Sequence, residues 1–259
     1  MRTITMPLLA TALAFLSCQA AAQDAAPGYA IPAGTPANVR RAVESSERSA
    51  EQRARDAGRK PAQVLTLAGI ESGDRVIEFA SFGHYYTTML VEVVGTDGHV
   101  YMVDMPWIER FGGEPARAFD AAHENATFTQ VHYNEMDLPS GVDVALMVLF
   151  YHDLKRASAD ESVDTADMNE RIYAALRPGG RYVIVDHTAQ DGSGWRDAST
   201  LHRIDAQTIV DEVTAAGFEL AVESELLANP ADDRTVNMRD PSLRGNTDRA
   251  LLVFRKPGG

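Results

Sequence analysis

Cysteine is nearly absent from this chain: of its 259 residues only Cys18 carries a thiol. No disulfide can close within it, and stability must come from an ordinary apolar core. Apolar runs are short as well. None reaches the ~20 residues that a helix needs to cross a bilayer. Basic residues are scarce, with 24 Lys and Arg against 37 Asp and Glu and a formal net charge of −13. A surface of that sign repels phosphate backbones, so nucleic acid is excluded as an expected partner. The chain also lacks a phosphate-cradling loop, a serine elbow, zinc-finger spacing, internal repeats and low-complexity tracts.

What is present begins with the N-terminus. Met1-Arg2 gives a positive start, Leu8 to Leu16 is a short apolar run, and Ala20-Ala21-Ala22 supplies small residues before Gln23. That order reads as a secretory signal cleaved after Ala22, which predicts a secreted or periplasmic protein. Cleavage removes the lone cysteine and one basic residue, Arg2. A second reading treats Phe15 to Cys18 as a lipoprotein box with Cys18 as a lipid anchor. A third keeps the segment as an uncleaved amphipathic N-terminus. Residues 23–60 read as an extended lead-in and an N-terminal helix, and residues 61–259 as one domain.

The lead-in holds Pro27, Pro32 and Pro36. From Val39 to Ala57 the chain is polar and helix-prone, with Glu44 and Arg48 spaced four apart in the favourable order. Few apolar residues line it, which predicts a helix lying on the domain and outside its core. A second helix follows Pro61, with Val64, Leu65 and Leu67 on its buried side and Gly69 at its end. Strands and helices then alternate. Arg75–Phe79, His99–Asp104, Thr127–Val131, Val142–Phe150 and Arg181–Asp186 read as strands. Tyr85–Val94, Glu114–His123, Asp167–Leu176 and a segment capped by Asp205 read as helices. Such alternation predicts a parallel sheet with right-handed crossovers. Phe218–Leu227 and Arg249–Arg255 are strands joined without a helix, and so should lie antiparallel. The fold class is α/β: a Rossmann-like, mostly parallel central sheet with an antiparallel C-terminal pair and helices on both faces.

In an open parallel sheet, ligands bind beyond the carboxyl ends of the strands. The first strand ends at Glu78, followed by Ser81-Phe82-Gly83-His84. The second ends at Asp104, about 20 residues beyond Gly83, which is the spacing of an acid placed to accept from ribose hydroxyls. Glu78 reads equally as a cofactor contact or as an ordinary charge at the sheet edge. The next loop offers Asn134. Strand four runs into Tyr151-His152-Asp153 and strand five into Asp186-His187. A neutral imidazole can take a proton from an attacking nucleophile, so His152 and His187, with Asp153, are candidate catalytic groups. The competing reading has them only bonding the loops above the sheet. His202 and Arg203 either hold an anionic substrate or brace the glycine-rich loop before them. The same histidines and carboxylates could bind zinc or iron. No His-x-x-x-His or similar spacing appears, so the sequence assigns no metal ligand.

Several stretches carry a resemblance: Arg53–Pro61, Tyr151–Leu154, the Leu-Arg-Pro-Gly-Gly turn at 176–180, Asp186-His187, Gly192–Asp205 and Asn229–Asp233. On these the chain resembles the class I S-adenosylmethionine-dependent methyltransferases, and more closely a bacterial group of such proteins with signal peptides. The resemblance implies S-adenosylmethionine lying across the first two strands. Glu78 and Gly83 would neighbour its amino-acid end, Asp104 its ribose and Asn134 its adenine. The expected activity is methyl transfer to a small acceptor. Where such proteins present a glycine-rich turn, Phe82 and His84 here flank a single Gly83, and a phenyl ring at Phe82 would fill the space of the methionine portion. That departure opens an alternative, an exported small-molecule-binding protein that does not methylate. A metal-dependent enzyme using the His/Asp cluster is the third reading.

Overall fold

The computed structural model describes residues 28–155 and 162–258. The proposed signal, its cleavage point and Cys18 lie outside the described residues. The chain begins with α1 (Ala37–Glu44), the short α2 (Ala50–Arg53) and α3 (Asp56–Arg59), and α4 (Pro61–Ala68). There follow β1 (Arg75–Phe79), α5 (Thr87–Val94), β2 (His99–Asp104), α6 (Glu109–Ala122), β3 (Ala126–Gln130) and β4 (Val142–Val148). The second half has α7 (Thr165–Ala175), β5 (Leu176–His187), α8 (Ala198–Leu201), α9 (Ala206–Ala215), β6 (Glu219–Ser224) and β7 (Arg249–Arg255).

One seven-stranded sheet runs in the order β3-β2-β1-β4-β5-β7-β6. The first five of these strands pair parallel, and β7 pairs antiparallel with both β5 and β6. The strand order reverses between β1 and β4, which makes that junction the switch point. Each face of the sheet is covered by its own apolar cluster, and the period-two alternation of the strands assigns residues to one or the other. Val76, Met102, Leu146, Val183 and Val253 pack with α1, α4 and α5. Ile77, Val103, Met147, Ile184 and Leu252 pack with residues of α7 and α9. The central strands are thus buried on both faces, as their near-continuous apolar runs require.

Two sequence expectations need correction. The polar N-terminal stretch is not one helix on the surface. Ser45, extended at φ −51° and ψ 134°, ends α1, and Ser49 caps α2 in a reciprocal bond with Gln52. The serines favour caps over helix interiors because their hydroxyls bond nearby backbone. Val39, Ala42 and Val43 of α1 are buried in the core. Arg48 turns inward instead of pairing with Glu44: its guanidinium donates to Val43 O at 2.7 Å and to Asp56 at 2.9 Å. The Tyr85 hydroxyl also donates to Asp56, at 2.6 Å. In the second half, β5 starts earlier than expected, at Leu176 opposite Val142. The residues up to Gly180 bulge out before regular pairing resumes at Val144 and Arg181. No helix among the described residues is long and apolar enough to cross a membrane.

Candidate active site

Because β1, β2, β4 and β5 all run the same way, their carboxyl ends meet at one rim. Four non-glycine residues there hold left-handed backbone: Ala80 after β1 (φ 57°), Leu149 after β4 (φ 58°), His84 in the first loop (φ 47°) and His202 after α8 (φ 52°). Side chains disfavour this region, and such strain clusters where surrounding structure fixes a working geometry.

The first half of the rim is carboxylic. Glu78 lies on the α5 face of β1, next to Thr87, the first residue of that helix. It is buried, and desolvation, offset in part by Thr87, raises its pKa to about 8. Asp104 is fully buried at the end of β2, where desolvation raises its pKa to about 6. One oxygen of Asp104 accepts the Ser81 N–H at 2.7 Å. The other oxygen of Asp104, Oε2 of Glu78, and the hydroxyls of Ser81 and Thr87 are buried and make no hydrogen bond of good geometry, although Thr87 lies close enough to Glu78, and Ser81 to Asp104, to lower each carboxyl pKa in part. Buried polar atoms normally have partners, so a group of orphans calls for an explanation such as a ligand or water.

The loop over these groups is tightly held. The His84 N–H donates to Ser81 O at 2.9 Å, and the Gln52 amide of α2 donates to His84 O at 2.9 Å. Phe82 lies so close to Gly112 of α6 that a Cβ there would stand 2.7 Å from the Phe82 Cβ. Only glycine allows that approach. Gly83 itself has φ 80° and open space where a side chain would be. Since Asp104 has no exposed surface, a ligand reaches its second oxygen only if this loop shifts.

The second half of the rim is imidazole-rich. His152 follows β4, and its Nδ1 and its backbone N–H each lie 2.7 Å from an oxygen of Asp186 on β5. The His152 ring is fully buried, which lowers its pKa, but Asp186 outweighs burial and holds it above the ordinary value. His187 bonds Thr247 at 2.7 Å, and desolvation, with His152 nearby, keeps its pKa well below the ordinary value. The rings of His152 and His187 are 5.8 Å apart, and those of His152 and His202 are 5.4 Å apart and nearly perpendicular. Asp153 stands between His152 and His202, at 3.6 and 3.4 Å.

The structure therefore gathers Glu78, Gly83 and Asp104 at one end of the rim, and His152, Asp153, His187 and His202 at the other. Two expected site residues have other work. Arg203 is fully buried. It donates to both oxygens of Asp232, to Thr188 O and to Val236 O. Neither expected role fits these bonds: fully buried Arg203 holds the segment around Asp232, and neither the glycine-rich loop nor a substrate. Asn134, in the turn after β3, accepts the Asp164 N–H at 2.9 Å and so ties that turn to the cap of α7. Thr87 and Thr247 also belong to the site, as does Ser81, which the sequence placed in the first loop without a role. Thr87 and Thr247 carry no motif, and Ser81 reveals itself only through its bond to Asp104. Two clefts of about 580 Å³ lie elsewhere, lined in turn by residues such as Val91 and His123, and Gln63 and Leu226; a third, of about 390 Å³, is lined by Lys60, Arg249 and Thr247, the partner of His187.

No protein-family model matches the sequence, and no curated protein is similar to it. Solved structures are. A SAM-dependent methyltransferase from Aquifex aeolicus superposes with a TM-score of 0.53 at 16% identity, covering 75% of this chain and 88% of that one. An S-adenosylmethionine-dependent methyltransferase from Mesorhizobium loti gives 0.54 at 16% identity, with 76% and 97% covered. The chain has the Rossmann-like methyltransferase fold. The [4+2]-cyclase SpnF shares it, with a TM-score of 0.55 at 16% identity over 83% and 85% of the two chains. At these identities the likeness is one of fold, and function must be argued from the site.

Glu78 gives the site a pH signature. The folded state keeps its proton up to about pH 8, whereas the unfolded chain loses it in the ordinary carboxylate range. The folded state then binds more protons, so this group's contribution to stability falls as pH rises between those limits. Glu78→Gln removes that loss. Thermal melts of the ligand-free protein should show the variant a few degrees above wild type at about pH 8.5, with the gap narrowing toward about pH 4.5.

Proposed function

We propose that the protein transfers the methyl group of S-adenosylmethionine to a small acceptor at the rim between β1 and β5. The observation that carries this reading is the set of buried oxygens on Glu78, Ser81, Thr87 and Asp104 that lack partners. Two carboxylates held out of water suit a ligand with an ammonium group, hydroxyls and a sulfonium. Binding such a cation would offset the desolvation that now raises both pKa values. Asp104 and Ser81 would hold the ribose, Glu78 the amino-acid end, and Gly83 would give backbone access.

When bound, the cofactor supplies an electrophilic methyl group on sulfur. The protein's share is alignment and exclusion of water. His187, kept neutral by burial, would accept a proton where the acceptor carries one, and His152, oriented by Asp186, flanks it. We further propose that the chain is exported, with a signal cleaved after Ala22. The supporting feature is the order of charge, apolar run and small residues at its start.

A second reading rests on Phe82 packed on Gly112 and on the complete burial of Asp104. The burial of Asp104 describes a closed cradle, although Phe82 is itself 43% exposed, so its ring is not buried in the space expected for the methionine portion. In this reading the protein binds a different small molecule and does not methylate. A fold neighbour named as a [4+2]-cyclase fits that possibility.

Calorimetry separates the two. S-adenosylmethionine and its demethylated product should bind the wild type, and Asp104→Asn should weaken binding by about tenfold to a hundredfold, the worth of a hydrogen bond to a charged group. Absence of heat at millimolar ligand, unrescued by Phe82→Gly with His84→Gly, would leave the second reading. For export, the intact mass of protein recovered from its own host should correspond to a chain beginning at Gln23. A mass retaining Met1 would reject the signal, and one with acylated Cys18 would make it a lipoprotein.

A further inference from the structure

The imidazole end of the rim contains a feature that methyl transfer does not use. His152 Nε2, His202 Nδ1 and a carboxylate oxygen of Asp153 all lie within 4.8 Å of one another. The His152 and His202 nitrogens are buried and have no hydrogen-bond partner, and both residues are more than nine-tenths buried, at 1% and 8% exposure. Asp186 takes up the other nitrogen of His152 at 2.7 Å. The hydrogen of His152 therefore sits on Nδ1, and its Nε2 lone pair points at the other two groups. Two unpartnered imidazole nitrogens and a carboxylate oxygen thus converge.

We propose that His152, Asp153 and His202 bind a divalent first-row transition ion, with Zn(II) the best match. Ligands about 2.1 Å from zinc in a tetrahedron stand about 3.4 Å apart. His152 Nε2 stands 3.6 Å from one Asp153 oxygen and His202 Nδ1 3.4 Å from the other, and with one oxygen taken from Asp153 the three ligand atoms lie within 4.8 Å of one another, so binding an ion would draw them closer together. Two imidazoles and one carboxylate are the ligand set of sites that keep a coordination position open. Asp186 behind His152 is the carboxylate–histidine arrangement that fixes a ligand's tautomer and ring orientation. His202 adopts left-handed backbone, φ 52°, at the end of α8, a strained conformation that brings its ring against His152. His187, bonded to Thr247, lies outside the ligand set and stays available to move a proton.

The competing occupant is a proton on His152 Nε2, and titration with the metal alone decides between them. Tag-free protein stripped with chelator is titrated with zinc chloride by calorimetry, and with cobalt(II) by visible absorption. The proposal expects one ion per chain and the intense bands of tetrahedral cobalt. His202→Asn, chosen because asparagine tolerates left-handed backbone, should weaken binding at least tenfold with an unchanged circular dichroism spectrum. Asp186→Asn should weaken it by about tenfold to a hundredfold. His99→Gln, at the opposite end of β2, should bind as wild type does. No zinc heat and no cobalt bands in the wild type would overturn the proposal, as would His202→Asn and Asp153→Asn both binding like wild type. Because no methyl donor is present, this result is independent of whether the protein methylates.

Discussion

Parallel pairing of buried strands is the constraint on which the rest depends. β1, β4 and β5 are covered by apolar clusters on both faces, so their lengths carry almost no polar side chain that could be hydrated or paired. Polar chemistry is pushed to where each strand leaves the sheet, and because the strands share one direction those exits share one rim. Glu78, Asp104, His152, Asp186 and His187 all stand at such exits. Their burial follows from the same packing: the helices that cover the sheet also cover its rim, and the carboxyl groups are desolvated as a result.

The two halves of the rim handle that burial differently. At the imidazole half, opposite charges meet: Asp186 takes one His152 nitrogen and two backbone N–H groups, and the network is nearly complete on the protein side. At the carboxyl half, among the described residues, Glu78 Oε2 and one oxygen of Asp104 have no hydrogen-bond partner. Unsatisfied buried acceptors cost free energy. The chain retains them at the switch point of the sheet, beneath a loop with strained backbone.

Sequence reasoning saw the sheet well because its signals are local. β1, β2 and β7 lie where their apolar runs put them, and Asp205 caps α9 as expected. The antiparallel β6–β7 pair follows from the missing crossover helix. The N-terminal stretch was misread because three of its buried residues, Val39, Ala42 and Val43, are too few to show a stripe, and because the inward turn of Arg48 depends on Asp56 and Tyr85. The site was legible only in part. Strand-end residues declare themselves by position, but His202 reaches Asp153 across a loop and a short helix, so no ligand spacing appears in the chain. Arg203, its neighbour, points the other way to hold the segment around Asp232. That segment has no periodicity to predict from, and it supplies the partners of Arg203 and His187.

The central claim is that the carboxyl ends of β1 and β2 form one ligand site beneath the Ala80–His84 loop. Backbone amide shift mapping with the demethylated product of S-adenosylmethionine tests it most directly. Perturbations should centre on Ala80 to His84, on Asp104 and Met105, and on Thr87. Saturable shifts confined to the opposite end of the sheet, around His99 and Gly141, would contradict the account, as would a spectrum that millimolar ligand leaves unchanged.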